Sequence, residues 1–241
     1  MIRVELVPRW GALPISEIKR VDVKTMLREK ARTAPVSAAA TLAVARKIFN
    51  WALDEGIIDA TPMARLTPPA PPRERDRVLS NDEIKALWGA SEKMGHPFGA
   101  ILRLLFVTGQ RRGEVAGMRW SEIDGTFWTI PAERSKSARA HRVPLSPLAI
   151  RMLETLPRVG ECVMSSGRIG DKPVASFSRA KRLADKLSGV KDWRVHDIRR
   201  TVATKMRELG IDRPTGSQVL GLAESGISRS YARHSADSVT R

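Results

Sequence analysis

Four groups of residues in this chain have the types and spacing to handle a phosphate. The first is TGQRRGE at 108–114, where Thr108-Gly109 reads as a turn and Arg111 precedes Glu114 by three residues at the start of a helix. There a planar guanidinium can fork onto a phosphate while the carboxylate holds it. The plainer alternative is a surface ion pair, which stabilises little. The second is Lys136, in a turn between two strand candidates, either a cation that reaches into a groove or a solvated loop lysine. The third is WRVHDIRR at 193–200, with His196 and Arg199 three residues apart on one helix face. One proton-transfer group beside one fixed charge suits a phosphate, whereas the alternative is a capped helix start with a satisfied histidine. The fourth is Tyr231, the one tyrosine of the chain, flanked by Arg229 and Arg233. Nearby cations and a bound phosphate can turn a phenol, ordinarily ionising near ~10, into a nucleophile; otherwise it is a half-buried aromatic.

The elements that must hold these residues are mostly helical. Residues 37–55 place Leu42, Ala45, Ile48, Phe49, Ala52 and Leu53 at helical spacing, with Gly56 as the stop. A shorter helix is expected around 22–31, with Val23, Met26 and Leu27 apolar. Ser80 and Glu83 form a capping box that opens a helix through Leu87 and Trp88. Further helices are expected near 97–107, from about Gln110, and at 147–156, the last opened by Ser146-Pro147. Others are expected near 174–188, 196–209, 213–220 and 225–235. The 196–209 helix carries an apolar stripe of Ile198, Val202, Met206 and Leu209. TFWTIP at 126–131 and HRVPL at 141–145 read as two strands of a hairpin that carries Lys136 near its tip. The fold class is therefore mainly α with a small antiparallel β-sheet (α+β).

The seam is TPPAPPRERDR at 67–77, where four prolines fall within six positions and bias the backbone to extended polyproline II. It separates residues 1–66, with 11 basic and 7 acidic residues, from residues 67–241, with 31 and 19. Both parts are basic, which suits a clamp around one polyanion, though a plain spacer is the alternative. The whole chain of 241 residues carries a net charge of +16, the balance of a protein that meets a polyanion. Its apolar stretches are short and broken by charge, as at Arg103, so no membrane span and no signal peptide is expected. One cysteine, Cys162, excludes an internal disulfide and a cysteine-cluster metal site, and the four histidines show no ligand spacing. A cofactor-free, metal-free, cytoplasmic protein that faces a nucleic acid is the expectation.

The order of the four groups carries more than any one of them. Arginine in T-G-x-R-x-x-E, a hairpin lysine, H-x-x-R and a late tyrosine form the signature of the tyrosine recombinases, or phage integrase family. The chain resembles that family over its whole length, most closely from 78 to 235, and strongest at LRLLFVTGQRRGEVAGMRWSEID, HRVPLS and WRVHDIRRTVATKM. The resemblance implies a helical, SAM-like core-binding domain over 1–66, a linker over 67–77 and a catalytic domain over 78–241. It implies that Arg111 and Arg199 grip the scissile phosphate and that Glu114 orients Arg111. Lys136 would protonate the departing 5′-oxygen, His196 would assist proton transfer, and Tyr231 would attack the phosphorus. The implied partners are duplex DNA, three further copies of the chain in a homotetramer, and accessory DNA-bending proteins; the implied setting is a bacterial prophage or mobile element.

Three departures bear on these expectations. Leu222 stands nine residues before Tyr231, where the family has a second histidine or a tryptophan, and leucine donates no hydrogen bond. The core-binding domain reads as shortened at its N-terminus, and ten residues follow Tyr231 where the family's docking segment is longer. The leading function is a site-specific recombinase or integrase. A catalytically impaired DNA-binding relative and a nicking-closing enzyme of topoisomerase IB type stand as alternatives.

Overall fold

The computed structural model describes residues 1–68, 76–135, 137–165, 174 and 177–222. They belong to two compact units, Met1–Arg75 and Asp76–Arg241. The expected helix at 225–235 lies outside the described residues.

The first unit is helical from its start. A π-type turn at Ile2–Leu6 runs into α1 (Val7–Trp10), which the sequence reading did not single out. Two longer helices follow, α2 (Arg20–Thr33) and α3 (Pro35–Asp54). Ala34 between them leaves the helical region, at φ −146° and ψ +69°, as the residue before a proline is biased to do, and Pro35 then starts α3 at a position whose N–H has no helical partner. The two helices pack through Val23, Met26 and Leu27 against Leu42 and Phe49, with Ala38, Ala45 and Ala52 fully buried along α3. Alanines seven residues apart on one face let the backbones approach closely.

The second unit opens on α4 (Asn81–Met94), and its capping box is formed: Glu83 N donates to Ser80 Oγ at 3.2 Å and Ser80 N to Glu83 Oε2 at 2.9 Å. At its centre lies α5 (Phe98–Thr108), whose Ile101, Leu102, Leu104 and Leu105 are all buried. Gly109 ends α5 in the left-handed region at φ +64°, and a Cβ there would lie 2.5 Å from Leu220 Cδ2 and 3.0 Å from Val202 Cγ1. Glycine is thus required twice, by backbone conformation and by close approach. The chain turns directly into α6 (Arg112–Ala116).

A three-stranded antiparallel sheet follows in the order β1 (Ile123–Asp124), β2 (Phe127–Ile130) and β3 (His141–Pro144). The hairpin expected from the sequence is β2–β3. The two-residue β1 was missed because so short a strand has no alternation to read. Trp128 pairs with Val143 and Ile130 with His141, and Trp128, Ile130 and Val143 are completely buried on the core face. On the opposite face the Arg142 guanidinium lies 3.7 Å from the centroid of the Phe127 ring. Arg134, in the β2–β3 loop, is tied to Glu122 by bonds of 2.9 and 2.6 Å, which anchors the base of that loop.

Four helices complete the described part: α7 (Pro147–Glu154), α8 (Phe177–Ser188), α9 (Val195–Glu208) and α10 (Arg213–Leu220). Leu209, expected on the apolar stripe of α9, is 80% exposed. The helix ends at Glu208, so Leu209 turns off the face on which Ile198 is buried.

Candidate active site

The site is assembled where the α5–α6 turn meets the start of α9 and the end of α10. Arg111 is the residue that precedes α6, and Glu114 lies in its first turn. The Glu114 carboxylate accepts from the Arg111 backbone N–H at 2.8 Å and from Arg111 Nη1 at 2.8 Å. Its side chain is only 4% exposed against 25% for Arg111. This is a buried carboxylate orienting a half-buried guanidinium, not a surface ion pair. The second guanidinium nitrogen, Arg111 Nη2, donates to the Gly221 carbonyl at 3.3 Å.

Arg199 is buried on α9. Its Nη1 donates to the Gly109 carbonyl at 3.0 Å and its Nη2 to the Leu220 carbonyl. Burial, and then the charge of Arg111, push its pKa down to about 10, with Glu114 opposing. It therefore stays charged at neutral pH. The start of α9 is fixed by Asp197, whose carboxylate accepts from Arg194 N at 2.8 Å. Thr201 Oγ1 donates to the Asp197 carbonyl at 2.8 Å and accepts from Leu79 N at 2.9 Å, which ties α9 to the segment before α4.

Arg111, Arg199 and His196 line one cleft of about 580 Å³. Arg112, Lys181 and Arg194 also line it; the sequence reading did not single them out, although Arg112 and Arg194 stand inside the motifs it used. Two of these cations are laid on aromatic faces, Arg112 4.6 Å from the Phe177 centroid and Lys181 4.2 Å from that of Trp193. A cleft with this concentration of positive charge is suited to an oxyanion. Among the described residues no group of three or more His, Cys, Asp or Glu side chains could hold a metal ion. Leu222 follows Gly221 directly and is 46% exposed. Lys136 and Tyr231 lie outside the described residues.

Desolvation lowers the His196 pKa below the ordinary histidine value, and the charges of Arg200 and Arg199 add to it. His141 is pushed the same way, by burial first, against the Val219 carbonyl and Glu114. Both rings are therefore neutral at pH 7. Below the unfolded-state value of ~6.5 the unfolded chain binds more protons than the folded one, so this stability is present above that value and lost as pH falls. The urea midpoint is expected to drop between pH 7 and pH 5.5, and His141→Gln to flatten the drop. A midpoint independent of pH across that window would contradict the assignment of neutral rings.

Comparison with known proteins matches two family models, the phage integrase family over residues 77–238 and the phage integrase central domain over residues 1–68. Prophage integrase IntZ of Escherichia coli (strain K12) is 30% identical over 214 residues, which are 86% of this chain and 53% of that protein. A solved lambda integrase dimer bound to a COC′ core site superposes with a TM-score of 0.72 at 22% identity, over 92% of this chain and 66% of that one. A lambda integrase tetramer bound to a Holliday junction gives a TM-score of 0.72 at 22% identity, over 92% and 69%. These two likenesses show the shared fold. The chain spans about half the length of the curated relatives it matches first.

Proposed function

The chain belongs to the phage integrase family, and on that premise we propose that it is a site-specific DNA recombinase that cleaves and rejoins duplex DNA through a 3′-phosphotyrosyl link. The observation that carries this reading is the pair of guanidiniums, Arg111 and Arg199, brought to one cleft with His196, with Arg111 held by the buried carboxylate of Glu114. Two cations held in one cleft offset the charge that builds on the non-bridging oxygens.

In the proposed step the Tyr231 phenol oxygen attacks the scissile phosphorus and the bond to the 5′-oxygen breaks. The phenol proton passes to a base, for which the neutral ring of His196 is suited. Lys136 gives its proton to the departing 5′-oxygen. Rejoining reverses the step: a 5′-hydroxyl attacks the phosphotyrosine and the phenol is restored. The phosphodiester energy is kept in the link, so the cycle balances without a nucleotide or a cofactor. Residues 1–66 and 78–241 act, in this reading, as the core-binding and catalytic domains, and the assembly on DNA is a homotetramer, as in the lambda integrase Holliday-junction complex. Accessory DNA-bending proteins complete the reading.

A second reading has its own observation. Leu222 occupies the position where the family places a donor, and one lost charge-assisted bond costs ~1.5–3 kcal/mol, or roughly ten- to a hundredfold in rate. That favours a catalytically impaired DNA-binding relative. A nicked suicide duplex, from which the cleaved strand end diffuses away, separates the two: a covalent complex that survives denaturant supports the recombinase, and its absence supports the impaired relative. Strand exchange between two duplexes then separates a recombinase from a topoisomerase IB-type enzyme that only nicks and closes.

Lys136 has a test of its own. Lys136→Ala is expected to slow cleavage of ordinary DNA by about 10²–10⁴-fold. A 5′-bridging phosphorothiolate leaves without protonation and should recover most of that loss. Equal damage on both substrates would leave Lys136 as a DNA-binding cation only.

A further inference from the structure

The end of α10 carries an interaction that the phosphate-binding roles do not use. A helix leaves its last carbonyls without partners in the helix. Here two are closed by the chain itself, Gly221 N donating to Gln218 O at 3.1 Å and Leu222 N to Ser217 O at 2.9 Å, with Gly221 in the left-handed region at φ +59°. The next three carbonyls are each taken by a side chain from elsewhere. Gly221 O accepts from Arg111 Nη2 and Leu220 O from Arg199 Nη2. Val219 O accepts from two donors at once, Gln110 Nε2 at 2.7 Å and His141 Nε2 at 3.1 Å.

These donors are of two kinds. The two guanidiniums face the cleft, and an arriving phosphate competes for their N–H groups. The other two are neutral and committed. Gln110 is 1% exposed, and its amide nitrogen also donates to the Thr108 carbonyl at 3.0 Å. A carbonyl only accepts, so His141 carries its ring proton on Nε2. The His141 ring is also packed against Gly221, where a Cβ would lie 2.9 Å from Cδ2 and 3.0 Å from Nε2. His141 is the first residue of β3 and closes the loop that contains Lys136, while the α10 end leads in sequence to Tyr231 nine residues after Leu222.

We propose that Gln110 and His141 are positioning residues: by sharing the Val219 carbonyl they hold the end of α10, and with it the start of the segment that carries the nucleophile, in place when the two arginines turn to the phosphate. The proposal rests on the recombinase reading for its effect on cleavage. The lock itself is a property of the folded chain and is tested separately.

The full chain is used throughout, with His141→Phe and Gln110→Met as the disrupting variants and His141→Gln as the conservative one. Amide hydrogen exchange at Gly221 and Leu222, whose N–H groups close the helix end, is measured with and without a duplex. In both disrupting variants exchange at these two amides is expected to rise at least tenfold, and more when DNA is bound. Exchange in the core of α5 should stay within twofold. Single-turnover cleavage on a suicide duplex should fall ten- to a hundredfold with duplex affinity within threefold of the parent, and His141→Gln should recover most of it. Because both donors share one oxygen, the double variant should lose more than the product of the single losses. Unchanged exchange at Gly221 and Leu222 in both single variants overturns the lock, whatever the cleavage result. Cleavage that falls only in step with duplex affinity or global unfolding overturns the positioning role. If the parent chain forms no covalent complex, the recombinase reading fails while the exchange measurement still decides the lock.

Discussion

Tyr231→Phe is expected to abolish covalent attachment to DNA, a loss on the order of 10⁴-fold or more in the single-turnover rate, while duplex affinity stays within a few-fold of the parent. The substitution removes one oxygen and keeps the ring, so whatever the ring packs against is preserved and only the nucleophile is lost. The chain has no second tyrosine to take its place. The measurement is denaturing electrophoresis of the reaction with a nicked suicide duplex, beside a titration of the same duplex. A denaturant-resistant adduct in the variant would mean that another side chain attacks the phosphorus and would remove Tyr231 from the proposed mechanism.

Arg199→Lys is expected to slow cleavage by about 10²–10³-fold, the usual loss when one preorganised donor to a developing oxyanion is removed. It should also lower stability, and this sets it apart from an ordinary DNA-contact substitution. Arg199 is 6% exposed and spans from the Gly109 carbonyl to the Leu220 carbonyl with the two ends of one planar fork. An ammonium keeps the charge, but one point donor cannot reach both oxygens and still face a phosphate. One buried acceptor is then left without its bond, at a cost of about 1–3 kcal/mol. Urea denaturation and single-turnover cleavage measure the two losses side by side. Lost cleavage with an unchanged unfolding midpoint would show that the carbonyl contacts contribute nothing to the fold.

The elements of this protein were legible in its sequence wherever a local pattern sufficed. Leu42, Ala45, Phe49 and Ala52 repeat at helical spacing and are buried in α3, and Ser80 with Glu83 marks the start of α4 to the residue. Trp128, Ile130 and Val143 alternate as β-formers and face the core from β2 and β3. The order of the Arg111, Lys136, His196–Arg199 and Tyr231 motifs was equally local, because each motif spans only a few residues. What the sequence left undetermined depends on contacts between residues far apart along the chain. The choice between a surface pair and a buried one at Arg111–Glu114 rests on what covers Glu114, and its near-complete burial follows from packing. The same holds for Arg199, whose partners lie at Gly109 and Leu220, and for Gln110 and His141, which meet at the Val219 carbonyl. A glutamine after a turn and a histidine at the start of a strand have no spacing that marks them as a pair. Their meeting is decided by the packing of α5, β3 and α10, in which Gly109 and Gly221 leave no room for a Cβ and bring donor and acceptor within reach.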